Sequence, residues 1–232
     1  YLYDNNMGIL PRILNSLFYK LHNYQRIKKI DNFKMSFEFF EIIDEQIYDT
    51  WVVYVKNQNM ERGKCKLVHS IYDDNDGAYL PMYAHKQNSN MKIQCHNLKE
   101  AMDMLKTYVN KRQNRIITDN KIPNYVIRMN LFVDINQPDD FIMLSKRYRK
   151  SKIDFIQLSD MNITKSLIKK VPQTNEANIR THNDTLESMH ECLKYLSHNY
   201  GNNKFDWKRS ELTKLCKLTL QQTNINIIGT IS

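Results

Sequence analysis

Apolar residues recur along this chain with two spacings, one typical of helices and one typical of strands. Four segments carry apolar residues every three or four positions, as an amphipathic helix does; they are 11–21, 97–112, 185–196 and 210–220. Two segments alternate apolar and polar residues, which predicts strands with one polar face; they are 33–39 and 127–133. Shorter β-like runs lie at 51–55, 66–71, 91–95, 153–158 and 224–232. Interleaved helices and strands predict a layered α/β domain.

Local signals support the first two helices. Pro11 suits a first helical turn, where no N–H partner is needed. Asn97 can cap the helix 97–112, and Glu100 stands three residues later at the capping-box position. The acidic stretch 73–77 invites comparison with a calcium loop, but the spacing of its carboxylates does not fit one. We therefore predict a solvated hairpin turn there.

The length of 232 residues and the absence of a linker-like stretch predict one domain over 1–232. No apolar run reaches the roughly 18 residues of a membrane span, and the start does not resemble a secretory signal. The chain does not begin with methionine, so we expect it to be a piece of a longer protein.

Cysteine and histidine positions indicate no metal or redox site. None of the four cysteines forms a C-x-x-C pair, and the seven histidines show no ligand spacing. We predict reduced, buried thiols, as in a cytosolic protein, and no bound metal.

The net charge of +9 favours a polyanionic partner: nucleic acid, an anionic membrane, or an acidic protein surface such as a microtubule. The densest basic run, 146–152, contains Tyr148, whose ring could stack on a base. No known nucleic-acid-binding motif accompanies the run, so we predict a solvated loop there. A module that binds nucleic acid or an anionic membrane through this loop remains an alternative.

Several segments, in the right order, resemble parts of the kinesin motor domain. The stretch 8–12 resembles the family's G-I-I-P-R, and 40–49 resembles L-E-I-Y-N-E-x-x-x-D. The stretch 207–215 resembles Y-R-D-S-K-L-T-R-L, and 183–196 resembles the family's switch II helix. The resemblance implies a three-layer α/β motor domain, with a central, mostly mixed β-sheet and helices on both faces.

The phosphate-binding loop of the family, G-x-x-x-x-G-K-[ST], does not occur in this sequence. The resemblance implies that such a loop would precede Tyr1. Mg²⁺ with ATP or ADP would therefore be expected only if that loop exists upstream; otherwise we expect no cofactor.

The family's switch I motif, N-x-x-S-S-R-S-H, aligns on 120–127. Asn120 is retained. Pro123 and Asn124 replace the two serines, Tyr125 replaces the arginine, and Ile127 replaces the histidine. Proline cannot coordinate Mg²⁺ as a serine hydroxyl does, and tyrosine cannot replace a bidentate guanidinium.

The family's switch II motif, D-L-A-G-S-E, aligns on 157–162. Gln157 replaces the Mg²⁺-linked aspartate, Asp160 replaces the γ-phosphate-sensing glycine, and Asn162 replaces the glutamate. Both members of the ion pair that would join the two switches are therefore replaced. The resemblance implies a degenerate site with no catalytic residue, because such groups together account for orders of magnitude in rate.

In the family, the switch II helix and the loop and helix after it face the microtubule. Cations in this region are the candidate microtubule-binding residues: Lys194, Lys204, Lys208, Arg209, Lys214 and Lys217. In the last helix, four apolar residues share one arc, and Lys214 and Lys217 fall on the opposite side.

The sequence thus predicts a divergent kinesin-like, cytoplasmic and cytoskeletal protein that binds microtubules without hydrolysing ATP. An active kinesin or another protein is a further expected partner; nucleic acid is not favoured. The alternative within the family is an active ATP-driven motor whose phosphate-binding loop lies upstream.

Overall fold

A computed structural model describes ten segments of the chain: residues 8–49, 66–68, 72–74, 77–79, 93–116, 123–135, 148–158, 176–198, 205–222 and 225–226. These segments contain four helices: α1 (Ile9–Arg26), α2 (Leu98–Ile116), α3 (Glu176–His198) and α4 (Glu211–Gln222). A 3₁₀ turn at Trp207–Arg209 leads into α4. The same segments contain eight strands: β1 (Ile30–Ile43), β2 (Gln46–Asp49), β3 (Lys66–Val68), β4 (Tyr72–Asp74), β5 (Gly77–Tyr79), β6 (Ile93–Cys95), β7 (Asn124–Ile135) and β8 (Tyr148–Gln157).

The main sheet has the strand order β3–β2–β1–β7–β8, and the short β6 pairs with β1 on the side away from β7. The central pair is β1 with β7, which runs from Ile30 opposite Ile135 to Ile42 opposite Asn124. The sequence predicted a mostly mixed sheet, whereas every pairing among the described strands is antiparallel.

The sheet lies between two helical layers, which gives the three-layer α/β arrangement. Odd-numbered residues of β1, such as Phe37 and Phe39, pack with α1 and α2. Even-numbered residues, such as Phe40 and Ile42, pack with α3 and α4. Successive side chains of a strand point to opposite faces, so α1 and α2 cover one face of the sheet and α3 and α4 cover the other.

Local capping signals in the sequence are confirmed. The backbone N–H of Glu100 donates to Asn97 Oδ1 (2.9 Å), and the Glu100 carboxylate accepts from the backbone N–H of His96 (2.8 Å). Ser210 precedes α4, and its Oγ accepts from the N–H of Thr213 (3.2 Å). The strands on either side of the turn predicted at 73–77 pair as a hairpin requires, with Asp74 opposite Gly77; residues 75–76 lie outside the described residues.

The basic run 146–152 was predicted to be a solvated loop, and this is wrong for its described part. Residues 148–152 form the start of β8, because pairing with β7 continues through Arg149, opposite Val133, and Tyr148, opposite Asp134. The strand predicted at 51–55 lies outside the described residues. Of the strand predicted at 224–232, only residues 225–226 are described, and they carry no regular structure.

Burial follows the predicted helical faces at most positions, but Ile13 of α1 and Val109 of α2 are exposed. In α4, the four predicted inward residues are buried: Leu212, Leu215, Cys216 and Leu220. In α2, Ala101, Leu105 and Tyr108 are buried, whereas Val109 is 40% exposed.

Candidate functional site

The switch-like segments meet at one end of the sheet. Tyr125 of β7 and Gln157 of β8 are opposite one another in the antiparallel pairing. Pro123 precedes β7, and Asn124 is its first, buried residue. The structure therefore brings the described members of both segments together. Asn120, Asp160 and Asn162 lie outside the described residues.

The described residues of these segments do not fit a magnesium nucleotide. Tyr125 is 5% exposed within the core between the sheet and α1 and α2, and Ile127 packs against the same core. Gln157 is exposed, but a neutral amide is a poor substitute for a metal-linked carboxylate. No group of three or more histidine, cysteine, aspartate or glutamate side chains in the described part of the chain could hold a metal ion.

Three rungs further along the same strands lies a buried ion pair that the sequence did not predict. The Arg128 guanidinium donates to both carboxylate oxygens of Asp154, at 2.8 and 2.9 Å. The two side chains are only 7% and 2% exposed. Burial alone would lower the pKa of Arg128, but the charge of Asp154 and its hydrogen bond raise it, so the arginine remains charged.

This ion pair fastens α4 to the sheet. Arg128 Nη2 donates to the backbone carbonyl of Leu215 at 2.7 Å, and Thr219 Oγ1 donates to Asp154 Oδ2. Arg128 and Asp154 therefore contact each other across neighbouring strands, and each also forms a hydrogen bond with a residue of α4. A charged pair with its remaining capacity filled by the helix is the arrangement in which burial of charge is tolerated.

Further polar side chains lie beside this ion pair on the same face of the sheet. Asn130 Nδ2 donates to Glu38 Oε2 at 2.8 Å, and Glu38 is opposite Arg128 in the register. Lys152 is half-buried, and its pKa is lowered by burial and, secondarily, by the charge of Arg128. Together these side chains form a polar band beneath α3 and α4: Glu38, Arg128, Asn130, Lys152 and Asp154.

A second polar contact joins the turn between β1 and β2 to both helices. Glu45 Oε2 accepts from the backbone N–H of Glu211 at 2.5 Å, at the start of α4. Glu45 Oε1 accepts from Thr185 Oγ1 of α3. A carboxylate at a helix N-terminus is favoured by the unpaired N–H groups there. Glu45 has a φ of 54°, so the tight turn that aims it is strained for a residue with a Cβ.

The predicted microtubule-facing cations differ in their surroundings. Lys194 of α3 and Lys208 of the 3₁₀ turn are exposed. Arg209 pairs with Glu191, and its Nη2 lies 3.9 Å from Glu187 Oε2. A helical-wheel projection of the last helix could not show these pairs, because both carboxylates belong to α3.

The two predicted cations of α4 are partly buried. Lys214 Nζ lies 3.5 Å from Glu211 Oε1, with its side chain 22% exposed, and Lys217 is half-buried. Lys204 lies outside the described residues. Lys194, Lys208 and Arg209 are therefore the exposed described members of the predicted surface, and Arg209 is paired with carboxylates of α3.

The described cysteines are poor nucleophiles. Burial raises the pKa of Cys192 to about 12 and, with the charge of Glu100, that of Cys95 to about 11. Burial also raises the pKa of Cys216 well above its usual value. All three are free and buried, as predicted, and thiolate chemistry at neutral pH is disfavoured. Cys65 lies outside the described residues.

Solved structures of kinesin motor domains share this fold. The motor domain of the Kar3-like kinesin from Ashbya gossypii matches 94% of this chain and 58% of its own, with a TM-score of 0.62 and 15% identity. The motor and motor homology domain of Kar3Vik1 matches 92% of this chain and 49% of its own (TM-score 0.63, 15% identity). A KIF14 dimer with AMP-PNP, in complex with a microtubule, matches 93% and 56% (TM-score 0.68, 15% identity).

The chain thus has the fold of a kinesin motor domain and spans about half the length of the solved chains it matches. No protein-family model and no curated protein matches the sequence. Among the described helices, none combines the length and the apolar character that crossing a bilayer requires.

Proposed function

We propose that this chain is a divergent kinesin-like motor domain that binds microtubules as part of the cytoplasmic cytoskeleton. The observation that carries the proposal is the fold similarity to the microtubule-bound KIF14 dimer, over 93% of this chain at a TM-score of 0.68. The basic net charge of +9 supports an acidic partner such as tubulin.

The proposed contact surface is the outer side of α3, the 3₁₀ turn and α4. Lys194 and Lys208 are its exposed cations, with Lys217 at its margin. Arg209 contributes less, because Glu187 and Glu191 offset its charge. The two polar contacts through Asp154 and Glu45 support this role, since they hold both helices in one position against the sheet.

The proposal includes the loss of ATP hydrolysis. Tyr125 and Ile127 occupy switch positions but pack in the core, where neither can contact a phosphate. Gln157 and, by its position in the sequence, Asp160 replace groups that would bind Mg²⁺ and sense the γ-phosphate. Microtubule binding through α3 and α4, which cover the other face of the sheet, needs no cofactor.

Association with an active kinesin is part of the same proposal. The similarity to the Kar3Vik1 structure, which contains a motor and a motor homology domain, supports pairing between a motor and a domain of the same fold. Co-purification with a catalytically active kinesin, from cells expressing the complete protein, would be the corresponding observation.

Co-sedimentation with microtubules tests the contact surface. The complete protein should sediment with microtubules, and Lys194→Ala/Lys208→Ala should bind several-fold more weakly, since each exposed cation contributes up to about 1 kcal/mol. Lys106→Ala is the matched control, because Lys106 is exposed on α2 in the other helical layer. Equal binding by both variants would overturn the surface, and no sedimentation at all would overturn microtubule binding.

ATP turnover tests the loss of hydrolysis separately. The complete protein, including any phosphate-binding loop upstream of Tyr1, should show no microtubule-stimulated release of phosphate. Microtubule-stimulated turnover at about 1–100 per second, the range typical of kinases, would establish an active motor instead.

A further inference from the structure

Exposed apolar side chains are concentrated on α1. Nine large hydrophobic residues of the described chain are exposed, and five of them lie in α1 or directly after it: Ile9 (52%), Ile13 (36%), Tyr19 (69%), Tyr24 (44%) and Ile27 (52%). Single exposed apolar residues are ordinary, but a cluster on one element marks an interaction surface.

The same segment carries only positive charge. Residues 8–30 contain five cations and no carboxylate, and the next carboxylate is Asp31. The five cations are Arg12, Lys20, Arg26, Lys28 and Lys29. Lys29 Nζ lies 5.9 Å from the centre of the Tyr24 ring, so charge and aromatic surface lie side by side at the end of the helix.

The outward position of these side chains is fixed by the core beneath them. Leu14, Phe18 and Leu21 are buried on the inner side of α1, and Phe18 makes an edge contact with Phe33 of β1 at 5.9 Å between ring centres. At 100° per residue, Ile9, Ile13, Lys20 and Tyr24 share one arc away from that core. Rotation of α1 to bury the outer arc would expose the inner one.

We propose that the outer face of α1, with residues 27–29, binds an anionic lipid bilayer, on which the helix lies parallel to the surface. Isoleucines and tyrosines on this face enter the boundary between headgroups and acyl chains, while the lysines and arginines contact lipid phosphates. The amphipathic, carboxylate-free composition provides the complementarity of charge.

A nucleic acid fits this face less well. Tyr19 and Tyr24 could stack on bases, but Ile9, Ile13 and Ile27 have no counterpart on a phosphate backbone. A bilayer uses both the aliphatic and the aromatic side chains. The lipid surface is therefore the partner that accounts for the exposed isoleucines of this face as well as for Tyr24.

This inference is independent of microtubule binding. Because α1 and α3–α4 cover opposite faces of the sheet, a bilayer on α1 and a microtubule on the other layer do not compete for the same side chains. A protein holding both would link a membrane to the cytoskeleton.

Vesicle co-sedimentation tests the proposal on the complete protein. Vesicles of phosphatidylcholine with 30% phosphatidylserine should bind it, and pure phosphatidylcholine vesicles should bind it weakly. Lys28→Glu/Lys29→Glu should lower the affinity by about 30-fold or more, since each cation near the surface contributes about 1 kcal/mol. Ile13→Ser/Ile27→Ser should lower it at unchanged charge.

The test has a control variant in the opposite helical layer and outcomes that would contradict membrane binding. Lys194→Glu/Lys208→Glu, in the opposite layer, should leave vesicle binding unchanged, and the two α1 variants should retain microtubule binding and the wild-type unfolding temperature. Absence of binding to phosphatidylserine vesicles would overturn the proposal. Equal loss with the control variant, or binding to a single-stranded RNA in preference to vesicles, would overturn it as well.

Discussion

Arg128 and Asp154 are paired inside the protein by two hydrogen bonds, with each residue also held by α4. Removing one partner leaves an uncompensated buried charge, which typically costs about 3–5 kcal/mol. We therefore expect Asp154→Ala to lower the free energy of unfolding in urea by about that amount. Thr219→Val should cost only about 1 kcal/mol, because it removes one hydrogen bond and keeps the ion pair.

Substituting both Arg128 and Asp154 separates the effect of their charges on stability from the effect of their packing. Arg128→Met/Asp154→Leu removes both charges and keeps apolar volume, so it should recover most of the stability that Asp154→Ala loses. A double variant no more stable than Asp154→Ala would show that the hydrogen bonds to α4, and not the ion pair, account for the cost.

The Glu45 carboxylate links α3 and α4. Glu45→Ala should lower the free energy of unfolding by about 2 kcal/mol, because it leaves the first N–H of α4 and the Thr185 hydroxyl without this acceptor. A double-mutant cycle with Thr185→Val measures the coupling, which should be at least about 0.5 kcal/mol. Strict additivity of the two substitutions would contradict the contact.

Lys152 should make stability depend on pH in the alkaline range. Its pKa is lowered in the folded protein, mainly by burial, so the unfolded chain holds this proton more tightly. Below the folded-state pKa, the protonated Lys152 lowers the free energy of unfolding by the full amount. As pH rises from that pKa towards 10.5, the ordinary value for the unfolded chain, the folded protein loses the proton first and the lost stability is regained.

The neutral variant Lys152→Met should accordingly unfold at higher urea concentration than wild type at pH 7. The difference should shrink between neutral pH and pH 10.5. Lys106→Met is the control, because Lys106 is exposed on α2, on the other face of the sheet, and does not act on the pKa of Lys152. A constant difference across pH would assign the gain to packing instead of ionisation.

The carboxylates beside Arg209 should weaken the proposed microtubule contact. Glu187→Gln/Glu191→Gln removes two negative charges and releases Arg209, so affinity for microtubules should rise several-fold at low salt and less at high salt. Glu100→Gln on α2 should not share the effect. Weaker binding by the double variant would indicate that the helix contacts a basic patch.

Side-chain periodicity was enough to predict the helices, the long strands and the inward face of α4. Leu212, Leu215 and Leu220 are spaced so regularly that no tertiary knowledge is needed to bury them. The capping pair Asn97 and Glu100 was equally local. These features depend on residues three or four positions apart, which the sequence shows directly.

Features that depend on register or on a second element were not predicted. The start of β8 is highly charged, and only its pairing with β7 makes Arg149 a strand residue. Asp154 interrupts the apolar run 153–156, which was a signal that it needs a buried partner, but Arg128 lies at an ordinary polar position of an alternating strand and gave no such signal. The acidic neighbours of Arg209 lie in α3, and a helical-wheel projection of α4 does not include residues of another helix.

The register of the central sheet sets an order for folding. Arg128 of β7 and Asp154 of β8 are 26 positions apart in the chain, whereas Glu38 and the Asn130 it contacts are 92 positions apart. Closing the longer loop costs more chain entropy, so the β7–β8 hairpin should form first and β1 should add later as the slow step. Pulse-labelling hydrogen exchange should therefore protect Arg128 and Asp154 before Glu38, and the residues between β1 and β7 would set the folding rate without contributing to the hairpin.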